Sequence, residues 1–376
     1  MTRVLSLLLV LIITFSCIGL LVMSHMHNSN LNGGGNTENG GNPSGGNENG
    51  GNDTEGGNTD TDGENGNEEN KATTIRIGYM AGPTGIGMAK LVSDNGGLEG
   101  SSDKYSFTKY TDTTMAKADL AAGKIDVICL PTNEAAMYYS KVDSEAKVLA
   151  INCLNSLYYV QGLEIFGNPN MTLKDLEGKT VYTCKNGTPR MILEYIIKEQ
   201  GLNIEVSYTV DGKEIITPAD LSALAIAGKI PNAVMPEPLV TSVVLGTEKN
   251  EVLSRIFEVK IDLSSEWEKI SDTPIAMGCI VANGDFAEAN GELIDAFLDE
   301  YKASVDYIRN PENIDSAANY VVETGVMAAA PAAKKALLNL GSSICYLDGE
   351  DMKSTLEAFY GALKIALPGD EFYYEK

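Results

Sequence analysis

Apolar and polar positions divide the chain into three unequal stretches. From Val4 to Met23 the residues are predominantly apolar, and Arg3 is the only charge before them. From Asn28 to about Asn70 they are almost entirely Asn, Gly, Glu, Asp, Ser and Thr, with no aromatic side chain. From Ala72 to Lys376 short alternating or wholly apolar runs take turns with stretches of helical spacing. Ile75, Ile77 and Tyr79 alternate with Arg76 and Gly78, a strand with one apolar face. Gly82, Pro83, Thr84, Gly85 and Gly87 then form a glycine-rich turn before Met88, Ala89, Leu91 and Val92 at helical spacing. The segment Thr108 to Gly123 reads as a loop and helix, capped by Asp112, with Met115, Ala118 and Leu120 facing inward.

The same strand, turn, helix unit recurs along the chain. Asp126 to Leu130 is a strand, and Pro131-Thr132-Asn133 opens a helix from Glu134 to Ser140. A strand from Lys147 to Cys153 leads past Tyr158 and Tyr159 into an apolar crossing, Val160 to Phe166. Thr172 caps a short helix, Lys179 to Cys184 is a strand, and Lys185-Asn186-Gly187-Thr188-Pro189 opens the helix Arg190 to Gln200. Strand Ile204 to Val210, helix Pro218 to Ala227 and strand Asn232 to Met235 follow, the last ending at Pro236-Glu237-Pro238. After an apolar strand from Pro274 to Ala282 the chain is mainly helical, over 286–309, 311–324, 330–340 and 348–366. This alternation predicts an α/β fold with parallel or mixed sheets flanked by helices.

Sheets of that kind bind ligands beyond the carboxyl ends of their strands. Those ends carry four loops here: Gly82-Pro83-Thr84-Gly85, Pro131-Thr132-Asn133, Lys185 to Pro189, and Pro236-Glu237-Pro238. Glycines let a ligand approach the main chain, and helix starts offer free N–H groups to it. No phosphate signature accompanies them, because Met88 follows Gly87 where G-x-x-x-x-G-K needs Lys, and Lys90 stands where the third glycine of G-x-G-x-x-G belongs.

Composition narrows the chemistry. A formal charge of −24 repels phosphate backbones and anionic lipid, so no nucleic-acid partner is expected. The two histidines, His25 and His27, lie in the polar spacer, which denies the folded part Ser-His-Asp, Cys-His or HExxH chemistry. Neither a metal site nor a cofactor is expected. Cys129, Cys153, Cys184, Cys279 and Cys345 are scattered and odd in number; Cys129 and Cys279 read as buried small hydrophobes, and a single disulfide stays open.

The first stretch reads in two ways. Thr14-Phe15-Ser16-Cys17 resembles a bacterial lipoprotein signal with Cys17 lipidated, although Thr14 departs from the usual Leu. The same run is long enough for a membrane helix. Either way residues 1–23 are a signal peptide or anchor, residues 24–71 a disordered acidic spacer, and the remainder is exported and tethered to the outer face of the membrane.

The stretches GPTGIGMAKL, LPTNEAAM, LKDLEGKTVY before KNGTPRMILEYIIKEQGL, AVMPEPLVT and LPGDEFYY together resemble the substrate-binding proteins of ABC importers. The group they are similar to handles nitrate, sulfonates, taurine and thiamine pyrimidine precursors. The resemblance covers essentially all of Thr73 to Tyr374 and implies a two-lobe periplasmic-binding-protein-like fold. One lobe would comprise 72–158 plus 274–376 and the other 159–273, with a ligand cleft between them that closes about a hinge. It implies a small-molecule ligand, polar or anionic, a permease partner in the membrane, a monomer and no enzymatic activity.

Carried over by position, Gly82, Pro83, Thr84, Gly85, Thr132 and Asn133 would line the cleft from one lobe, and Asn186, Gly187, Thr188 and Glu237 from the other. Glu237 would suit a ligand amine, or else is a surface turn residue. Arg190 would pair with an anion or is solvent-exposed, and Tyr158 and Tyr159 would stack on an aromatic ligand or serve the core. The alternative implied is an enzyme on the same fold, such as a chorismate-dehydratase-like lyase of menaquinone synthesis. The related pyrimidine synthases consume a histidine, which the folded part lacks.

Overall fold

Strand β1 (Ile75–Met80) sits between β2 (Tyr105–Tyr110) and β3 (Val127–Pro131), parallel to both. The computed structural model describes residues 72–163, 168, 170–248 and 256–376. The chain divides into Met1–Gly66 and Asn67–Lys376, and every described residue belongs to the second unit. Cys17, both histidines, the acidic spacer and the end of the expected crossing at 164–166 lie outside the described residues. No described helix is long and apolar enough to cross a membrane.

The order of the main sheet is β13–β4–β12–β3–β1–β2, with β4 at Lys147–Leu154, β12 at Ala276–Ala282 and β13 at Ile344–Leu347. β12 runs antiparallel to both of its neighbours, so the sheet is mixed. All seven of its residues are buried, as the unbroken apolar run AMGCIVA requires of a central strand covered on both faces. A second sheet, antiparallel, has the order β10–β5–β11, from β5 (Leu157–Leu163), β10 (Asn232–Pro236) and β11 (Ile256–Asp262). Beside it lie a parallel pair, β6 (Thr180–Tyr182) with β7 (Glu205–Ser207), and a small hairpin, β8 (Thr209–Val210) with β9 (Lys213–Glu214). The fold is α/β with two lobes, each built on its own sheet and flanked by helices.

One apolar cluster fills the outer face of the main sheet, joining Ile75, Ile77 and Cys129 to Phe297, Tyr301 and Leu337. Another runs from the main sheet into the second lobe, where Ile151 and Cys153 share a core with Tyr159, Ile192, Trp267 and Phe359. Trp267 ends the short helix Leu263–Trp267 and is fully buried. Its ring lies 5.2 Å from Tyr195 in the helix Thr188–Glu199 and 5.7 Å from Phe359 in the helix Gly349–Leu363. Its indole N–H donates to the Thr273 carbonyl at 2.6 Å. A single aromatic side chain thereby ties together elements from both lobes.

Several expectations need correction. Residues 105–110, expected in part as loop, form β2, because Tyr105, Phe107 and Tyr110 bury their rings beside β1. In the helix Thr113–Ala121 the buried positions are Ala116 and Leu120, whereas Met115 is 65% exposed and Ala118 also faces out. The expected helix over 286–309 is interrupted at Asn290, whose side chain accepts from the Ala72 amide at 3.0 Å and donates to the Phe286 carbonyl at 3.0 Å. The stretch 239–273, left unassigned by periodicity, holds the helix Leu239–Glu248, β11 and the Trp267 helix. β13 supplies an edge strand between two expected helices, where no element was expected.

Asp112 caps its helix as anticipated, accepting from the amides of Thr114 at 2.6 Å and Met115 at 3.2 Å. Those backbone donors hold its carboxyl below the ordinary value of 3.8. The stabilisation is therefore present above that ordinary value and fades as pH falls through the lowered native one. Asp112→Ala is expected to cost about 1 kcal/mol in urea unfolding at pH 7, with the difference from the parent shrinking on acidification toward pH 3.

Candidate functional site

The turn after β1 is tighter than its glycines suggest. A helical turn, Pro83–Ile86, begins directly after Gly82, so the segment is folded rather than an open cradle. A Cβ on Gly85 would overlap the Met80 carbonyl oxygen, which makes glycine obligatory where the chain doubles back. Thr84 is buried, and its carbonyl accepts from the Asn152 side chain at 3.0 Å. Asn152, near the end of β4, carried no sequence signal; its amide oxygen is buried with no hydrogen-bond partner.

At the end of β3 the helix Thr132–Lys141 starts with three buried polar residues, Thr132, Asn133 and Glu134. The Thr132 hydroxyl donates to the Ala276 carbonyl of β12, and its own carbonyl accepts from the Tyr360 hydroxyl at 2.9 Å. Thr132 thus ties strand ends together. Asn133 points across to the other lobe, where its side-chain oxygen accepts from the Thr188 hydroxyl at 2.7 Å. Thr188 opens its helix after Gly187, whose φ of 105° favours glycine. Asn186 is exposed. The candidate loop after β3 and the one after β6 of the parallel pair therefore meet at Asn133 and Thr188, whereas no hydrogen bond among the described residues joins the Gly82–Gly85 or Pro236–Pro238 loop to them.

Glu237 ends β10's loop and is 1% exposed, so it is no surface turn residue. Its carboxylate accepts from the Thr241 amide at 3.0 Å and hydroxyl at 2.9 Å, capping the helix Leu239–Glu248. It also accepts from the side chain of Asn339 at 2.7 Å, a residue 102 positions downstream that no motif singles out. Burial raises its carboxyl above the ordinary value of 4.5, opposed by these donors and by Lys335. Tyr158 is half-buried in β5, its phenol pushed up to about 12 first by burial and then by Asp262 and Glu237. Tyr159 is a core residue, its hydroxyl donating to Gln161 at 2.8 Å.

Three cations near these loops, Arg190, Lys185 and Lys117, are engaged elsewhere. Arg190 donates to the Lys185 carbonyl at 2.7 Å, pairs with Glu194 at 3.1 Å and lies 5.1 Å from the Tyr208 ring. Lys185 is held by Glu214 at 2.8 Å, and Lys117 by Glu134. Asn133 and Thr188 consequently offer a neutral amide and a neutral hydroxyl where they meet, next to the buried Glu134 that Lys117 neutralises. All five described cysteines are free and buried, and burial pushes the thiols of Cys129, Cys153, Cys184 and Cys345 up to about 12, which leaves them unreactive. A surface depression of about 410 Å³ lies apart from the strand-end loops, between Asp272–Pro274 and Ser354, Thr355 and Ala358.

Solved structures of the same fold include an ABC transporter from Parabacteroides distasonis, at 20% identity and TM-score 0.59, covering 81% of this chain and 100% of that one. The periplasmic aliphatic sulphonate binding protein SsuA from Escherichia coli matches at 17% identity and TM-score 0.59, over 81% of this chain and 93% of its own. The periplasmic nitrate-binding protein NrtA from Synechocystis PCC 6803 matches at 13% identity and TM-score 0.56, over 77% and 80%. At such identities the likeness establishes the fold. No curated protein matches this sequence. A family profile described as menaquinone biosynthesis does match, over residues 107–364, more than half of the 376-residue chain. This biosynthetic match points to an enzyme and overturns the expectation of a chain without enzymatic activity. The chain belongs to the menaquinone-biosynthesis family.

Proposed function

We propose that the chain captures a small polar or anionic solute in the cleft between its lobes. The class is that of sulfonates, nitrate or pyrimidine-like bases. The observation that carries this reading is the hydrogen bond between Asn133 and Thr188, which joins strand-end loops of two different sheets. Gly82, Pro83, Thr84, Gly85, Thr132, Asn133, Tyr158, Asn186, Gly187 and Thr188 form the proposed lining. Glu237 supports the wall, since protein donors already occupy its carboxylate. Neutral donors at two helix starts suit an oxyanion or a heterocyclic base, and the engagement of Arg190 and Lys185 argues against reliance on a formal cation. In this reading Cys17 or the first apolar stretch tethers the protein outside the membrane, and the long acidic spacer lets it reach a permease.

A second reading, favoured by the family match, is conversion of the captured molecule, with chorismate as substrate and a lyase reaction. Glu237 is the group suited to it, because a buried carboxyl with a raised proton affinity is what a general acid or base needs. One experiment separates the two. Thermal unfolding of Asn67–Lys376 is measured with aminosulfonates, alkanesulfonates, nitrate, pyrimidines and chorismate, followed by mass analysis of each stabilising compound. A ligand at a hundred times its dissociation constant stabilises by about 2.7 kcal/mol. A hit recovered intact supports capture, a hit recovered altered supports conversion, and a silent panel overturns the ligand class.

A further inference from the structure

Among the described residues, side-chain hydrogen bonds cross between the lobes at two places besides the Trp267–Phe359 ring contact, and the two differ in what a ligand could do to them. Asn133 and Thr188 belong to the proposed lining, so a ligand binding there would exchange their mutual bond for its own. In the capture reading Glu237 and Asn339 do not. The carboxylate is filled from its own lobe by Thr241, and from the other lobe by the Asn339 amide, which also donates to the Thr241 hydroxyl at 3.2 Å. Asn339 rides on the helix Ala330–Leu340, which is rooted in the first lobe's core through Ala333, Ala336, Leu337 and Leu340. Asn339 itself is exposed at the rim, whereas its partner is almost wholly buried.

The geometry points to a latch: Asn339 clasps the buried Glu237 carboxylate and holds the lobes together without contributing to ligand contacts. Its role in binding rests on the cleft reading above, but the clasp itself does not. A hydrogen bond to a charged group is stronger than one between neutral groups, and a buried carboxylate that loses a donor bears a desolvation cost. Separation of the lobes breaks this bond while leaving the Thr241 cap intact. The latch therefore sets how often the cleft opens, and an incoming solute works against that fixed threshold.

Hydrogen exchange of the full chain in detergent tests this. Asn339→Ala removes the donor, and Asn339→Asp sets a second carboxylate against Glu237. Because Asn339 is exposed, the helix is expected to persist, which circular dichroism checks. Both variants should exchange about tenfold faster over 188–193 and 237–241, with the amides of β1 and β3 unchanged. Parental rates over those cleft segments overturn the latch. Acceleration spread equally through β1 and β3 also overturns it, since that is general destabilisation. Faster cleft exchange combined with a silent ligand panel would sink the ligand class and leave the latch standing.

Discussion

Trp267→Ala is expected to lower the unfolding free energy by about 3–5 kcal/mol, the range for removing a fully buried Trp. The ring fills the space between Tyr195 and Phe359, and nothing nearby is free to collapse into the gap, because the flanking helices are held by separate lobes. Loss of the indole N–H also leaves the Thr273 carbonyl with only the long 3.5 Å bond from the Ser271 hydroxyl. Trp267→Phe keeps an aromatic in the stack and loses the hydrogen bond, so it should fall between parent and alanine variant. Guanidinium unfolding followed by circular dichroism measures both. An alanine variant within 1 kcal/mol of the parent would mean that the seam between lobes is far looser than the packing implies.

Gly85→Ala should cost at least about 3 kcal/mol, at the upper end for overpacking. Most glycine-to-alanine changes in a helical turn are favourable or neutral, because alanine has the better propensity. Here the added methyl would overlap a backbone carbonyl, that of Met80, and backbone cannot swing aside as a flexible side chain can. Relief requires moving the whole Pro83–Ile86 turn, and with it Thr84 and its bond from Asn152. Gly82 provides the control: a Cβ there meets nothing within 4 Å, so Gly82→Ala pays only for its backbone conformation. Equal melting temperatures for the two variants would show that the close approach at Gly85 is not what shapes the turn.

Local signals carried much of the architecture. The alternation at Ile75 to Tyr79, the cap at Asp112, Pro189 at the start of the helix Thr188–Glu199 and the helix over 330–340 all follow from features within a few residues of each other. The misreadings share a cause in distant partners. Met115 lost its expected place in the core because the helix is rotated to bury Ala116 and Leu120 against the sheet, with Lys117 fixed on Glu134. β13 is four residues long, and only its pairing with β4 makes it a strand. The Thr132 hydroxyl serves the carbonyl of Ala276, a neighbour that only the folded chain supplies and no local signal announces. Asn152 and Asn339 lie outside every motif, and their importance comes from what folding sets opposite them. The family itself was legible only as an alternative, since the same loops serve binding proteins and enzymes alike.

The insertion of β12 between β3 and β4 has a consequence for synthesis. A chain emerging from its amino end delivers β3 and β4 long before Ala276–Ala282 appears, so the main sheet cannot be completed while the second lobe is being made. The second sheet, drawn wholly from residues 157–262, can close first. Until β12 arrives, two apolar strands present open edges, the surfaces on which nascent chains pair with one another. A product truncated ahead of Ala282 should therefore hold one finished lobe and one sticky one, and aggregate through the half that was begun first.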